Sequence, residues 1–169
     1  PGTNLEMGMI VTLADDGETF GLDAGEYSFR SMCQVDKNIN VAHKPPSDRD
    51  QKEALEECVR DATRAAQGAT VTVVRVWGTW SLLGPSYGKF MNVTLVSNAT
   101  KANVPTVDVV GGPWSFRHCG LKSVGGTALL LFEKGEALVE GCALGGMPPP
   151  HESAAYGVTG TDESKCEIV

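Results

Sequence analysis

The chain has 169 residues, of which 41% are hydrophobic and 21% are charged, and its formal net charge is −7. A chain of this length can bury a sizeable core, so we expect a single domain over residues 1–169. The acidic balance argues against nucleic acid as a partner, because such a surface needs Lys and Arg to replace phosphate counterions. The longest apolar run, residues 127–132, is far shorter than the roughly 20 residues of a transmembrane helix.

The N-terminal part of the chain predicts short strands joined by turns. Asp15-Asp16-Gly17 and Ala24-Gly25-Glu26 contain the residue types that favour turns. Between and around them, apolar and polar residues alternate as they do in half-buried strands, over residues 9–13, 20–22, 27–29 and 35–41.

One segment departs from this pattern and predicts a helix that begins at Ser47 and ends at Gln67. Ser47 opens a capping box after two prolines, and Gly68 stands where glycine commonly follows a helix. One face is apolar at helical spacing, through Ala54, Leu55, Cys58, Val59, Ala62, Ala65 and Ala66. We expect this insertion, residues 46–68, to dock on its own domain, although the same face could bind a partner helix.

From residue 69 onward short strands return, and a pattern of the form apolar-x-x-apolar-x-apolar repeats. Three full copies cover residues 90–95, 116–121 and 139–144. Residues 38–41 match the last four positions of the pattern and so align with residues 92–95. Residues 168–169 begin another copy. The copies start 26, 23 and 29 positions apart, and a second strand recurs within the intervals, over residues 106–110, 127–131 and 156–159. These spacings predict a solenoid of stacked coils in which Cys119 lies over Cys142 and Leu121 over Leu144.

The residues that carry a family resemblance lie in the first coil. Gly25-Glu26-Tyr27, followed by residues 35–41, resembles the glycine turn and "NIxI"-like strand of right-handed parallel β-helix proteins of the pectin-lyase-like superfamily. The C-terminal coils, with their Cys-x-Leu motifs and the Gly-Gly pairs between strands, resemble the same superfamily. The resemblance implies an all-β, right-handed parallel β-helix with one inserted or capping helix. We expect it to be part of a longer solenoid, in which more coils would follow. An irregular β-sandwich is the alternative, because short strands and turns also suit it.

The five cysteines do not predict a metal or redox motif. Their number is odd and no CxxC pair occurs among Cys33, Cys58, Cys119, Cys142 and Cys166. Several lie in apolar strand patterns, where a free cysteine acts as a small hydrophobe, which favours a reducing intracellular or organellar compartment. Two glycosylation triplets, starting at Asn92 and Asn98, point instead to secretion. We predict no metal and no cofactor, and expect Cys119 and Cys142 to be reduced, core-facing and slow to alkylate.

The sequence contains residue types that could support catalysis, but no spacing brings them together, so no catalytic residue is predicted. Members of the superfamily that process polysaccharides use acidic residues with an Arg or Lys base on one sheet face. His118 and Cys119 are adjacent and would point to opposite faces of a strand, which excludes a Cys–His nucleophile. The residues that could lie near one face are Asp108, Arg117, Lys122 and Asp162, and those that could stack on a sugar are Trp77, Trp80, Tyr87 and Trp114.

Two functions fit this sequence. The first is a non-catalytic scaffold or protein-interaction module, as in a peripheral subunit of a larger assembly, and the missing catalytic constellation favours it. The second is a carbohydrate-binding or polysaccharide-processing protein, which only the fold analogy supports. A solenoid has unpaired backbone groups at its ends, and residues 164–169 enter a strand that nothing caps. We therefore expect either further coils after Val169 or another protein that covers this end or the helix face.

Overall fold

The computed structural model describes residues 5–6, 15–29, 32–43, 74–99, 101, 103–146, 156–161 and 163–169. These residues form 17 strands and no helix. Accordingly, no helix in this part of the chain is long and apolar enough to cross a membrane. The strands are β1 (Leu5–Glu6), β2 (Glu18–Leu22), β3 (Gly25–Ser28), β4 (Cys33–Val35), β5 (Ile39–His43), β6 (Val74–Trp77), β7 (Trp80–Leu83), β8 (Gly88–Met91), β9 (Val93–Ser97), β10 (Val107–Val110), β11 (Trp114–Arg117), β12 (Gly120–Ser123), β13 (Thr127–Phe132), β14 (Glu136–Glu140), β15 (Ala143–Gly146), β16 (Tyr156–Gly160) and β17 (Lys165–Ile168).

The strands form three parallel sheets, and the chain visits the sheets in a fixed order. Sheet A contains β1, β3, β6, β9, β12 and β15; sheet B contains β2, β5, β8, β11, β14 and β17; sheet C contains β4, β7, β10, β13 and β16. From β3 onward, each coil therefore contributes three strands in chain order, the first to sheet A, the second to sheet C and the third to sheet B. This arrangement is consistent with a parallel β-solenoid and does not fit the antiparallel sandwich that was the alternative.

The predicted repeat spacings are the spacings of the coils. Phe90 pairs with Phe116, Phe116 with Val139, and Val139 with Ile168 in successive strands of sheet B. Leu121 pairs with Leu144 in sheet A. The sequence repeat therefore predicted the stacking register correctly over the last four coils.

The repeated pattern itself spans a corner between two sheets, which the sequence did not indicate. Its first apolar residue lies in sheet B and its last lies in sheet A. The corner residues Asn92, His118 and Gly141 have φ values of 52°, 51° and 60°. Asn and Gly tolerate this left-handed conformation better than most residues do, which explains why they recur at this corner. The corners stack through backbone hydrogen bonds such as that from His118 N–H to the Glu140 carbonyl, at 2.9 Å.

The predicted alignment of residues 38–41 with residues 92–95 is wrong. Ile39 pairs with Gly88 and Val41 pairs with Phe90, so this segment belongs to sheet B and precedes the corner. Asn38 stands before the strand and joins three coils. Its N–H donates to Asp16 Oδ1 at 2.9 Å, and its Oδ1 accepts the Tyr87 N–H at 2.9 Å.

One coil is much longer than the others. The register advances by 21 residues from Glu18 to Ile39, but by 49 residues from Ile39 to Gly88. The additional residues lie between His43 and Val74, at the corner from sheet B to sheet A. The helix predicted from Ser47 to Gln67 falls in this stretch and lies outside the described residues, as do the strand predicted over residues 9–13 and the side chain of Cys58.

Large and small side chains alternate along the core columns. Ile39, Gly88, Trp114, Ala137 and Cys166 occupy one column of sheet B. Trp114 is fully buried because Gly88 and Ala137 leave room for its ring on both sides. In the next column the rings of Phe90 and Phe116 stack, with centroids 5.3 Å apart and an interplanar angle of 15°. Such aromatic contacts stabilise a core by about 0.5–1.5 kcal/mol each beyond the area that they bury.

Candidate functional site

The charged residues that could have formed a catalytic group lie on three different sheets. Asp108 is in β10 of sheet C, Arg117 in β11 of sheet B, and Lys122 in β12 of sheet A. Asp162 lies outside the described residues. Arg117 instead contacts Glu140 of the next coil, with 2.5 Å between Nε and Oε2. This ion pair is largely exposed and contributes little to stability.

Asp108 is a carboxylate on the half-buried outer face of sheet C. It stands between Ser81 and Leu130 of the neighbouring coils. Oδ1 is shielded from solvent and has no hydrogen-bond partner among the described residues. Burial raises the pKa of Asp108 above its usual range, and a hydrogen bond with the Ser81 side chain only partly offsets this. A perturbed carboxyl group can mark a functional site, but here no second titratable side chain is shown to act with it.

We expect Asp108→Asn to raise the free energy of unfolding at pH 7 by about 1 kcal/mol or less. For a chain of this size, a gain of about 1 kcal/mol corresponds to a rise of roughly 2–4 °C in Tm. At pH 3 Asp108 is mostly protonated in both the folded and the unfolded state, so the substitution should have no comparable effect there. As the pH rises, the unfolded chain ionises first, so wild-type stability falls until the pH passes the raised pKa of the folded state. Thermal unfolding of the wild type and of Asp108→Asn at pH 3 and pH 7 measures the difference in Tm at each pH. An equal Tm difference at both values would contradict the burial of this carboxyl group.

The His118–Cys119 pair lies at the sheet B to sheet A corner rather than within a strand. His118 has left-handed backbone geometry, and its ring lies so close to Gly141 that a Cβ there would be 2.8 Å from Nδ1. Cys119 is buried in the core. The His118 ring therefore lies against Gly141 of the next coil, whereas the Cys119 side chain lies in the core.

Cys119 and Cys142 stack as predicted and are both reduced. The Cys119 N–H donates to Cys142 Sγ at 3.4 Å, and Cys119 Sγ also lies 3.3 Å from the Phe90 carbonyl oxygen. Burial raises the pKa of Cys119 well above its usual range. A hydrogen bond from the Cys119 thiol is the main cause that lowers the pKa of Cys142 to about 7. Cys142 is only half-buried, unlike the fully core-facing thiol that we expected.

Alkylation should therefore distinguish the two stacked cysteines. We expect iodoacetamide to label Cys142 in the folded protein at a rate that rises as the pH passes about 7, because the thiolate is the nucleophile. Cys119 should react only after unfolding. Mass spectrometry of the cysteine peptides after timed labelling measures both rates. Cys119→Ala removes the thiol donor and should move the Cys142 profile to higher pH; an unchanged profile would contradict the assigned hydrogen bond.

The four aromatic residues that could have stacked on a sugar do not share a surface. Trp80 and Trp114 are fully buried. Tyr87 is exposed near the corner between sheets C and B, whereas Trp77 ends a strand of sheet A. Trp77 lines a groove of about 390 Å³ at the corner between sheets A and C. Its described lining is neutral: Ser28, Phe29, Met32, Gly78, Thr79, Ser97, Asn98 and Ala99 complete it. No pattern in the sequence indicated Phe29, Met32 or Asn98 as site residues, because they meet Trp77 only in the folded coils.

The described coil stack is open at its C-terminal end. All four residues of β17 are exposed. Ile168 continues the apolar column of Phe116 and Val139, yet it is 64% exposed while Val139 is 1% exposed. We call the exposed strand β17 together with Val169 the open end.

No known protein family, curated protein or solved structure matches this chain. Its candidate sites are therefore interpreted from their own geometry: the carboxyl group of Asp108, the thiol of Cys142, the Trp77 groove and the open end. Ile168 and Val169, at 64% and 71%, are the most exposed large hydrophobic residues of the described part of the chain.

Proposed function

We propose that this protein is a non-catalytic β-solenoid scaffold or protein-interaction module, such as a peripheral subunit of a larger assembly, and that its open end is the interaction surface. The observation that carries the proposal is the exposure of Ile168 in the same column as Phe116 and Val139, which are buried. A partner that covers this position would extend the core. We also propose that the solenoid is a right-handed parallel β-helix similar to pectin-lyase-like proteins.

The backbone of the open end supports the same function. β17 is the last strand of sheet B and pairs on one side only, with β14. An edge strand of this kind presents unpaired N–H and C=O groups, which can bind an added strand. Main-chain hydrogen bonds would give such a contact affinity, and the alternating side chains of β17 would give it selectivity.

The dispersal of Asp108, Arg117 and Lys122 over three sheets supports a role without catalysis. General acid–base chemistry needs its groups within hydrogen-bond reach of one substrate atom, directly or through one water. We accordingly expect no cleavage of pectate or alginate, with or without Ca²⁺. Turnover that disappears in Asp108→Asn would overturn the non-catalytic assignment.

Affinity capture from source-cell extracts with matched surface variants tests the interaction surface. We expect proteins that bind the wild-type chain to be lost with Ile168→Asp, which places a charge in the middle of the open end. Tyr87→Asp is the matched control, because Tyr87 is 57% exposed but lies between β7 and β8, away from the open end. Equal retention of the bound proteins by wild type and Ile168→Asp would contradict the proposed surface.

Carbohydrate binding is the second candidate function, and the Trp77 groove favours it. A half-exposed indole beside amide and hydroxyl groups suits the apolar face and hydroxyl edge of a neutral sugar. Because Trp80 and Trp114 are buried, Trp77 is the tryptophan that acrylamide should quench. Neutral oligosaccharides should reduce this quenching. Titration calorimetry, which does not depend on the indole, should show that Trp77→Ala abolishes binding while Tyr87→Ala preserves it. Quenching that no neutral oligosaccharide changes would remove the support for this function.

A further inference from the structure

We propose that Asn98 is an N-glycosylation site and that the first N-acetylglucosamine of its glycan occupies the Trp77 groove. Because this transfer takes place in the secretory pathway, the proposal also places the chain there. The inference goes beyond the proposed function, since it does not depend on the open end. Three observations point to it: the triplet Asn98-Ala99-Thr100, the exposure of Asn98 at a corner of the solenoid, and the aromatic groove that Asn98 borders.

The backbone around Asn98 is held on both sides, while its side chain is not. The Ala99 N–H donates to the Ser97 hydroxyl at 3.0 Å, which closes a turn around Asn98. The Gly125 N–H donates to the Ala99 carbonyl at 2.9 Å and anchors this turn to the next coil. Asn98 is exposed, and its amide makes no hydrogen bond with another described residue. This amide nitrogen can therefore carry a glycan without displacing any contact of the described chain.

The second triplet, which starts at Asn92, lies in the opposite kind of environment. Asn92 is half-buried, with a φ of 52°. Its Nδ2, the atom that would carry the sugar, lies 3.4 Å from Nδ1 of His43 in the preceding coil. Its N–H donates to the Arg117 carbonyl of the next coil at 3.0 Å. A glycan on Asn92 would push these stacked corners apart, so the folded protein should carry none there.

The groove beside Asn98 has an apolar floor with a fixed position. The Phe29 ring makes an edge-on contact with Trp80, with centroids 4.7 Å apart, and packs where a Cβ on Gly78 would collide with it. Met32 is 47% exposed, and the Trp77 indole is half-exposed. The described lining contains hydroxyl and amide groups but no charged side chain. Such a surface suits an uncharged sugar, whose apolar ring face stacks on aromatic groups while its hydroxyls meet the polar border.

Covalent attachment favours the protein's own glycan over a free sugar in this groove. The groove has a volume of about 390 Å³. Small-molecule sites have volumes of roughly 300–1,000 Å³, so this one suits one or two sugar rings. A sugar linked to Asn98 starts at the border of the groove and has an effective concentration of about millimolar or more. It has also lost part of its motional freedom already, whereas a free sugar loses all of it on binding.

The modification is a group transfer without a change of oxidation state. Asn98 Nδ2 attacks the anomeric carbon of a polyprenyl-diphosphate-linked oligosaccharide that the cell supplies. The N–C bond forms, the C–O bond to the diphosphate breaks, and Nδ2 loses one proton. The polyprenyl diphosphate is the leaving group. The cellular transferase recognises the Asn-x-Thr triplet in the chain, which is why a change at Thr100 blocks the transfer without altering the acceptor amide.

Expression of the full chain behind a cleavable secretion signal, in cells whose glycans stay high-mannose, tests the site. The chain is recovered from the medium and from the secretory membranes and digested with peptide-N-glycosidase in heavy-oxygen water. Peptide mass spectrometry should then show the label at Asn98 and none at Asn92. Thr100→Ala should abolish the label, and Thr100→Ser, the matched control, should keep it. An unlabelled Asn98 in the recovered wild-type chain overturns the proposal.

Trimming the glycan with an endoglycosidase to its first N-acetylglucosamine tests the groove. This single sugar should lower the acrylamide quenching of Trp77 and raise Tm by roughly 2–4 °C relative to Thr100→Ala. In a Trp77→Ala background the same comparison should show no Tm difference. Equal quenching and equal Tm with and without the sugar would overturn the groove assignment. Binding of free oligosaccharides by Thr100→Ala, or capture of partners that depends on Ile168, would still support the proposed functions, so the failures are distinguishable.

Discussion

Replacing Leu121 with Asp is expected to leave the chain unfolded or nearly so at 25 °C. Leu121 is fully buried and stacks between Leu95 and Leu144 in sheet A. A carboxylate at this position has no solvent and no partner, and a buried unpaired charge is among the few single changes that cost more than about 4 kcal/mol. Urea unfolding followed by circular dichroism measures the loss.

Leu121→Met is the control for this substitution. It keeps a hydrophobic side chain of similar volume and should cost less than about 1.5 kcal/mol. A Leu121→Asp protein that unfolds cooperatively at the wild-type urea midpoint would show that residue 121 does not face the core. The stacking register of β9, β12 and β15 would then be wrong.

Adding one methyl group at Gly88 is expected to have the second large effect. A Cβ on Gly88 would collide with the carbonyl oxygen of Ile39 in the preceding coil and would lie 2.7 Å from Cζ3 of Trp114 in the next one. Trp114 could adjust its rotamer, but the Ile39 carbonyl belongs to the backbone of a paired strand. We therefore expect Gly88→Ala to lower the free energy of unfolding by about 3 kcal/mol, the upper part of the usual range for overpacking.

Gly157→Ala separates this collision from the general effect of replacing a glycine. A Cβ at Gly157 would make only an ordinary contact, 3.6 Å from the Leu144 side chain. Because alanine restricts the unfolded chain, this substitution should be neutral or stabilise the protein by up to about 1 kcal/mol. Equal stability changes for the two variants in urea unfolding would contradict the close stacking of β5, β8 and β11.

The coil spacing was predictable because the same side chains recur on the same column. Phe90, Phe116, Val139 and Ile168 share one column, so their separations in sequence measured the coil lengths. The corner at Asn92 was not predictable from alternation, since strands on both sides of a corner contain the same apolar and polar pattern. Residues 38–41 were misplaced for the same reason: Ile39 and Val41 alternate equally well in sheet A or sheet B.

The candidate sites were less predictable than the stacking. Short strands do not reveal which tryptophans point inward, and Trp114 is buried only because Gly88, 26 positions earlier, leaves room for its ring. The Trp77 groove likewise depends on residues from separate coils.

The 49-residue coil has a consequence for the order in which the molecule folds. Closing the 49 residues between Ile39 and Gly88 costs more chain entropy than closing the 23 between Phe116 and Val139. The difference is about 0.7 kcal/mol if both loops are treated as flexible chains. Coils that contact only their neighbours can nucleate anywhere and then propagate. Nucleation should therefore begin among β8 to β14, and the strands β2 to β5 should join last, which makes them the first part of the stack to open in native-state hydrogen exchange.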